Sequence, residues 1–167
     1  MTSELLIRLM ADFAVIPVIL LGGIALVFYV PKGQRFQAYS RILMAGLTAY
    51  LLAKFVATIY QPSDERPFQT LGVEAGALYL NNPGFPSDHA LFVTAIVAAV
   101  WFETGRKKLT LFLAALVVLI CIGRVVGLVH TPLDVIGGVA IALIGALWYL
   151  QKPVEKRGNN GSGNRRR

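Results

Sequence analysis

The chain has 167 residues, 56% of them hydrophobic and 15% charged, with 16 Lys and Arg against 9 Asp and Glu for a formal charge of +7. Soluble domains carry about 25% charged residues, so this composition excludes a disordered chain and argues against a soluble enzyme. The net charge alone would allow a nucleic-acid partner, but the basic residues are separated by long uncharged stretches, which opposes one.

Taken in chain order, the apolar stretches predict five membrane-spanning helices, since a span needs about 20 largely apolar residues. Residues 13–30 are uncharged and contain Pro17 and the pair Gly22-Gly23. This run is too long for a removable signal, and Glu4 and Asp12 do not suit a basic leader, so it is expected to be retained. Residues 42–60 are apolar except for Lys54, and residues 89–102 form a short continuous run. Residues 109–129 are interrupted late by Arg124, and residues 132–150 carry one carboxylate, Asp134, near their start. Residues 135–149 are apolar on every helical face, so lipid or other spans must surround them. The period-2 alternation of a membrane barrel is missing. The fold class expected is therefore an all-α integral membrane protein, a bundle of about five transmembrane helices in one domain over residues 1–150. The basic tail, 151–167, Gly/Asn/Arg-rich from residue 158, is expected to be disordered in the cytoplasm. Gly123, Gly127, Gly137, Gly138 and Gly145 suit close helix packing. Cys121, the single cysteine, lies in an apolar run and has no disulfide partner within the chain.

Basic residues set the orientation. Lys32, Arg35 and Arg41, then Arg106, Lys107 and Lys108, then Lys152, Lys156, Arg157, Arg165, Arg166 and Arg167 make 12 of the 16, all on one side of five alternating spans. The positive-inside rule assigns that side to the cytoplasm. The N-terminus and the loop 61–88 then face outward from the cell membrane.

The remaining basic residues are Arg8, Lys54, Arg66 and Arg124, and both histidines, His89 and His130, fall on the outer side with them. Three clusters meet there: Glu65-Arg66-Pro67-Phe68, Phe85-Pro86-Ser87-Asp88-His89, and Arg124-x5-His130-x3-Asp134. Ionisable groups at span ends are functional candidates by default. Thr131-Pro132-Leu133-Asp134 predicts a helix start, with Thr131 as N-cap and Asp134 at the third position. Asp134 is thus either a capping carboxylate or the partner of His130 four residues earlier, leaving the second imidazole nitrogen as nucleophile or base. Arg124 suits a phosphate held in a bidentate fork. Ser87 and Asp88 cap a second helix whose free amides favour an anion, and His89 beside them can protonate a leaving oxygen. Two histidines, two arginines, a serine and a carboxylate make a poor metal site. The set fits phosphoryl transfer without metal or other cofactor.

These clusters resemble the signature of the type 2 phosphatidic acid phosphatase superfamily, the membrane lipid phosphate phosphatases. The matching pieces are Lys54…Arg66-Pro67, Pro86-Ser87-Asp88-His89 and Gly123-Arg124-x5-His130-x3-Asp134, spread over residues 42–150. The resemblance implies that His130 attacks phosphorus, Asp134 orients it, and His89 protonates the leaving group. It also implies that Arg66, Ser87 and Arg124, with Lys54 as a further candidate, hold phosphate oxygens, with no metal. Four departures stand out. Eleven residues separate Lys54 from Arg66 where the pattern has six, and Ile59 occupies the usual lysine position. Asp88 and Gly123 replace a glycine and a serine, and one span fewer than an often six-span core is expected at the N-terminal end. Lys54 is expected about 9 Å below the outer end of its helix, and Asp88 is expected to repel phosphate unless it caps the helix or pairs with an arginine. The Arg-Pro-Phe and Pro-Ser-Asp-His variants look most like small bacterial undecaprenyl-diphosphate phosphatases. The partners implied are a polyprenyl or glycerolipid phosphate and the membrane lipids. Phosphatidylglycerophosphate or phosphatidate hydrolysis is the alternative. A non-catalytic phosphate-lipid binder or transporter and a structural membrane subunit are the competing classes.

Overall fold

A computed structural model describes residues 2–63, 65–82 and 84–151, so the expectation for the tail 151–167 lies almost wholly outside the described residues. The described residues are helical, with no strand. Helix α1 (Thr2–Arg8) runs through a π-turn (Leu9–Phe13) into α2 (Val15–Tyr29). Next come α3 (Arg35–Ile59), the single turn α4 (Pro67–Thr70), α5 (Asp88–Thr104), α6 (Lys107–Val126) and α7 (Pro132–Gly145), which ends in a 3-10 segment (Ala146–Leu150). Four stretches, Ser3–Tyr29, Lys32–Ile59, Lys107–Val126 and Pro132–Leu150, are long and apolar enough to cross a membrane.

The fifth expected span is α5. It has 17 residues, about 25 Å at 1.5 Å per residue, close to the lower limit for a span. It is the central helix, packed against α2, α3, α6 and α7. On one side Val93 and Val100 meet Val18, Ala25, Leu113, Val117 and Ile120. On the other, Leu91 meets Ala49, Ala53, Ile141 and Ala142. The outer helices turn large apolar side chains away from this core: Phe28, Phe55, Leu111 and Ile136 are each more than 60% exposed. Surface of that kind needs lipid around it.

Two boundaries differ from expectation. The first helix starts at Thr2 instead of residue 13, and α3 at Arg35 instead of 42. Hydropathy marks where a helix meets hydrocarbon, whereas backbone hydrogen bonding continues into the polar margin. Small residues do set the helix contacts. A Cβ on Gly138 would lie 2.5 Å from the Ser87 carbonyl oxygen, and one on Gly123 would lie 2.6 Å from the Ala11 nitrogen. Cys121 packs beside the α2–α5–α6 core as an apolar filler.

The two ends of the bundle differ in chemistry. At one, Arg41 of α3 forks onto Glu103 of α5 at 2.7 and 2.6 Å, and Arg106 stacks over Tyr29 at 4.1 Å. At the other, both histidines gather with Arg66 and Arg124.

Candidate active site

The site is built on two helix starts and one turn. Helix α7 begins as the sequence predicts: Thr131 Oγ1 accepts from the Asp134 backbone N–H at 3.2 Å, and Asp134 Oδ2 accepts from the Thr131 N–H at 2.7 Å. This reciprocal cap satisfies two backbone donors and fixes the carboxylate. The same Oδ2 stands 3.6 Å from His130 Nδ1. That distance exceeds a hydrogen bond, and Nδ1 is buried without a partner. Asp134 therefore caps α7, the first of the two alternatives, and its carboxylate lies beside His130 without a hydrogen bond to it.

The turn from α6 to α7 locks His130 to Arg124. Leu128 adopts φ of 58°, the left-handed region, which costs an L-residue roughly 1–2 kcal/mol. In that conformation the Val129 and His130 N–H groups both donate to the Arg124 carbonyl, each at 3.3 Å, and the Leu128 carbonyl accepts from Phe68 N–H at 3.0 Å. The last contact ties the Arg66-Pro67-Phe68 segment to the turn.

Ser87 caps α5, its Oγ accepting from the Ala90 N–H at 3.5 Å, while its own N–H donates to the Asp134 carbonyl at 2.9 Å. The two helix starts are thus joined directly. Ser87 is fully buried and lies outside the set of residues lining the pocket. The cap uses Ser87 Oγ as an acceptor and does not use its O–H, the donor that a phosphate oxygen would take. His89, two positions on, does line the pocket together with Arg66, Arg124 and His130.

The two arginines are held differently. Arg66 donates from Nη1 to the Val129 carbonyl at 2.5 Å, and from Nη2 to the Leu80 and Asn82 carbonyls and to Asn82 Oδ1 at 3.1, 3.2 and 2.9 Å. It also lies over the Tyr79 ring. Arg124 donates from Nη1 to Asp12 Oδ1 at 3.1 Å and to the Leu78 carbonyl at 2.6 Å, while its buried Nε has no partner.

Lys54 and Asp88 resolve each other. Lys54 Nζ lies 3.2 Å from Asp88 Oδ1, and Asn82 Nδ2 donates to Asp88 Oδ2 at 3.0 Å. The expectation was an arginine partner or a cap for Asp88. Among the described residues it pairs with a lysine instead, and the Lys54 ammonium offsets the charge of the carboxylate. Lys54 reaches the rim of the site, with Asp88 between it and the pocket.

The pocket bounded by Arg66, Leu80, Asn82, Pro86, Asp88, His89, Arg124 and His130 is narrow, about 10 Å³, room for about one water. As it stands the space is smaller than a phosphate. A larger polar pocket of about 90 Å³ adjoins it, sharing Arg66 and Asn82 and lined also by Ser63, Gln69 and Asp134. Among the described residues no group of three or more His, Cys, Asp and Glu side chains is placed to hold a metal ion.

Burial pushes the His130 pKa below the ordinary histidine value of 6.5; Asp134 pulls it up, and the positive Arg124 and Arg66 push it further down. The neutral imidazole, the form able to attack, therefore persists to lower pH than in an exposed histidine. Conversely, charging His130 disfavours the folded state as pH falls below 6.5. An NMR titration of the detergent-solubilised protein, assigned with His130→Gln, is expected to place the His130 midpoint below 6.5. A midpoint above 6.5 would show that Asp134 dominates.

Asp12, Asn82 and Tyr79 belong to the site but carry no motif signal. Asp12 was visible only as a carboxylate beside an apolar run, and its partner lies 112 residues away. A family model described as PAP2 superfamily matches residues 18–157, a stretch that contains the whole pocket and leaves Asp12 ahead of it. No curated protein and no solved structure matches the chain.

Proposed function

The chain belongs to the PAP2 superfamily, and on that premise we propose that it is a metal-independent lipid phosphatase working through a phosphohistidine. Membership implies phosphatase activity on phosphate esters, and the apolar helices fit a multi-pass membrane protein acting on membrane lipids. The single observation that carries the proposal is the meeting of His89, His130, Arg66 and Arg124 around one pocket at one end of the bundle.

In the proposed reaction His130 attacks phosphorus through Nε2, the nitrogen turned away from Asp134. The bond from phosphorus to the lipid oxygen breaks, and that oxygen takes a proton from His89. A water then loses its proton to His89 and attacks the phosphohistidine, releasing inorganic phosphate. Arg124 and Arg66 hold the equatorial oxygens, where negative charge must be stabilised. Arg66 reaches this role by exchanging the Leu80 and Asn82 oxygens for phosphate oxygens, which also widens the pocket. Asp134 stabilises the charge that His130 acquires.

The substrate proposed is undecaprenyl diphosphate, cleaved to the monophosphate on the outer face of the cell membrane. The N-terminus lies on the same side and the C-terminus in the cytoplasm. The distribution of basic residues supports this orientation, and the Arg-Pro-Phe and Pro-Ser-Asp-His variants support the subgroup. Phosphatidylglycerophosphate and phosphatidate present the same terminal phosphate and remain the second reading. A panel of these three lipids, assayed in detergent with EDTA, is expected to show phosphate release that is fastest from the polyprenyl diphosphate. Faster release from either glycerolipid would transfer the assignment to it, and no release from any would remove the lipid-phosphatase reading.

A further inference from the structure

We infer that Asp12 is a positioning residue for the phosphate-binding arginine, turning the unpartnered edge of Arg124 toward the pocket. This rests on the reading of the pocket as a phosphate site. Three hydrogen bonds close a ring: Arg124 Nη1 to Asp12 Oδ1 at 3.1 Å, Leu78 N–H to Asp12 Oδ2 at 3.0 Å, and Arg124 Nη1 to the Leu78 carbonyl at 2.6 Å. Both oxygens of the carboxylate are used, and every acceptor in the ring falls on one corner of the guanidinium.

The opposite corner is left to the pocket. Arg124 is 1% exposed and lines the pocket beside both histidines, yet its Nε is buried with no partner. A buried donor without an acceptor is costly, and a guanidinium binds phosphate best through two parallel N–H groups. A phosphate oxygen in the pocket satisfies Nε, while Asp12 holds Nη1 out of the way. Without Asp12, Nη1 would compete for the same anion and the fork would swing.

The backbone is shaped to deliver this carboxylate. Ala14 N–H donates to the Leu9 carbonyl at 3.0 Å, the wide spacing of the π-turn that contains Asp12. Turns of this type are frequent at functional sites. Gly123, immediately before Arg124, has no side chain, and a Cβ there would meet the Ala11 nitrogen at 2.6 Å. The π-turn therefore sits directly on α6, one residue from the arginine it serves. The same ring pins the Leu78 end of the segment that forms the pocket wall through Leu80 and Asn82.

The test is a double-mutant cycle on the purified full chain, with a polyprenyl diphosphate as substrate and inorganic phosphate as competitive inhibitor. Asp12→Asn is expected to lower kcat/KM roughly 10- to 100-fold, the scale of a misplaced binding group. It should weaken inhibition by inorganic phosphate by a similar factor, and Asp12→Glu should recover part of both. In an Arg124→Lys background, Asp12→Asn should change neither by more than about twofold, because coupled residues are not additive. Wild-type kinetics in Asp12→Asn would overturn the inference, as would an equal loss in both backgrounds, the mark of an effect that does not pass through Arg124. Either result, with the parent active and His130→Ala inactive, leaves the phosphatase reading standing. A parent that releases no phosphate removes that reading and the inference together.

Discussion

Replacing His130 with alanine is expected to lower phosphate release by at least about 10³-fold, the scale seen when a covalent nucleophile is removed. Several observations support the proposal that turnover depends on His130. Its backbone is fixed by the hydrogen bond to the Arg124 carbonyl, and its ring is almost fully buried at the pocket wall. Nδ1 faces Asp134 at 3.6 Å, close enough for the carboxylate to stabilise an imidazolium or a phosphoimidazole. Burial favours the neutral ring, the form able to act as a nucleophile. His130→Gln retains most of the volume and a polar group but cannot form the intermediate. It should be as inactive as His130→Ala while remaining a folded, monodisperse particle in detergent. Activity within tenfold of the parent in either variant would contradict the assignment.

Arg124→Ala and Arg124→Lys are expected to separate charge stabilisation from folding. Alanine removes the buried fork and leaves Asp12, whose side chain is 10% exposed, without its cation. Breaking a buried pair in this way costs about 3–5 kcal/mol of stability, and loss of one charge-stabilising group costs about 10²–10³-fold in rate. Lysine keeps the positive charge and much of the fold. A single ammonium, however, cannot serve Asp12, the Leu78 carbonyl and a phosphate in the arrangement that a planar guanidinium provides. Arg124→Lys should therefore be nearly as stable as the parent by thermal unfolding, and slower by about 10²-fold. A lysine variant with parental kcat/KM would show that only charge matters at this position.

Much of this was legible in the sequence, for identifiable reasons. Five apolar runs give the bundle because hydrocarbon demands length and apolarity. Thr131-Pro132-Leu133-Asp134 gives the start of α7 because capping is local chemistry. The meeting of Arg66, His89 and His130 follows from alternating spans, which send every second loop to the same side. Less legible were contacts set by close helix approach. Asp12 reaches Arg124 only because Gly123 admits the π-turn, and no periodicity in residues 1–13 announces such a turn. Lys54 and Asp88 appeared as two separate departures from a motif, and the three-dimensional arrangement brings them together as an ion pair. At Ser87 the helix start was legible: its oxygen caps α5, a contact that does not use the hydroxyl proton. Glu103 gave no signal at all, although its pairing with Arg41 ties α5 to α3 at the far end of the bundle.

The most direct measurement is to quench a reaction with terminally radiolabelled polyprenyl diphosphate within its first turnovers and map the label on the protein. The phosphohistidine mechanism predicts an acid-labile phosphoryl group on the peptide containing His130, absent from His130→Gln and accumulating in His89→Ala, where the hydrolytic step is impaired. Steady turnover with no labelled protein at any quench time, or label that persists in His130→Gln, would contradict it.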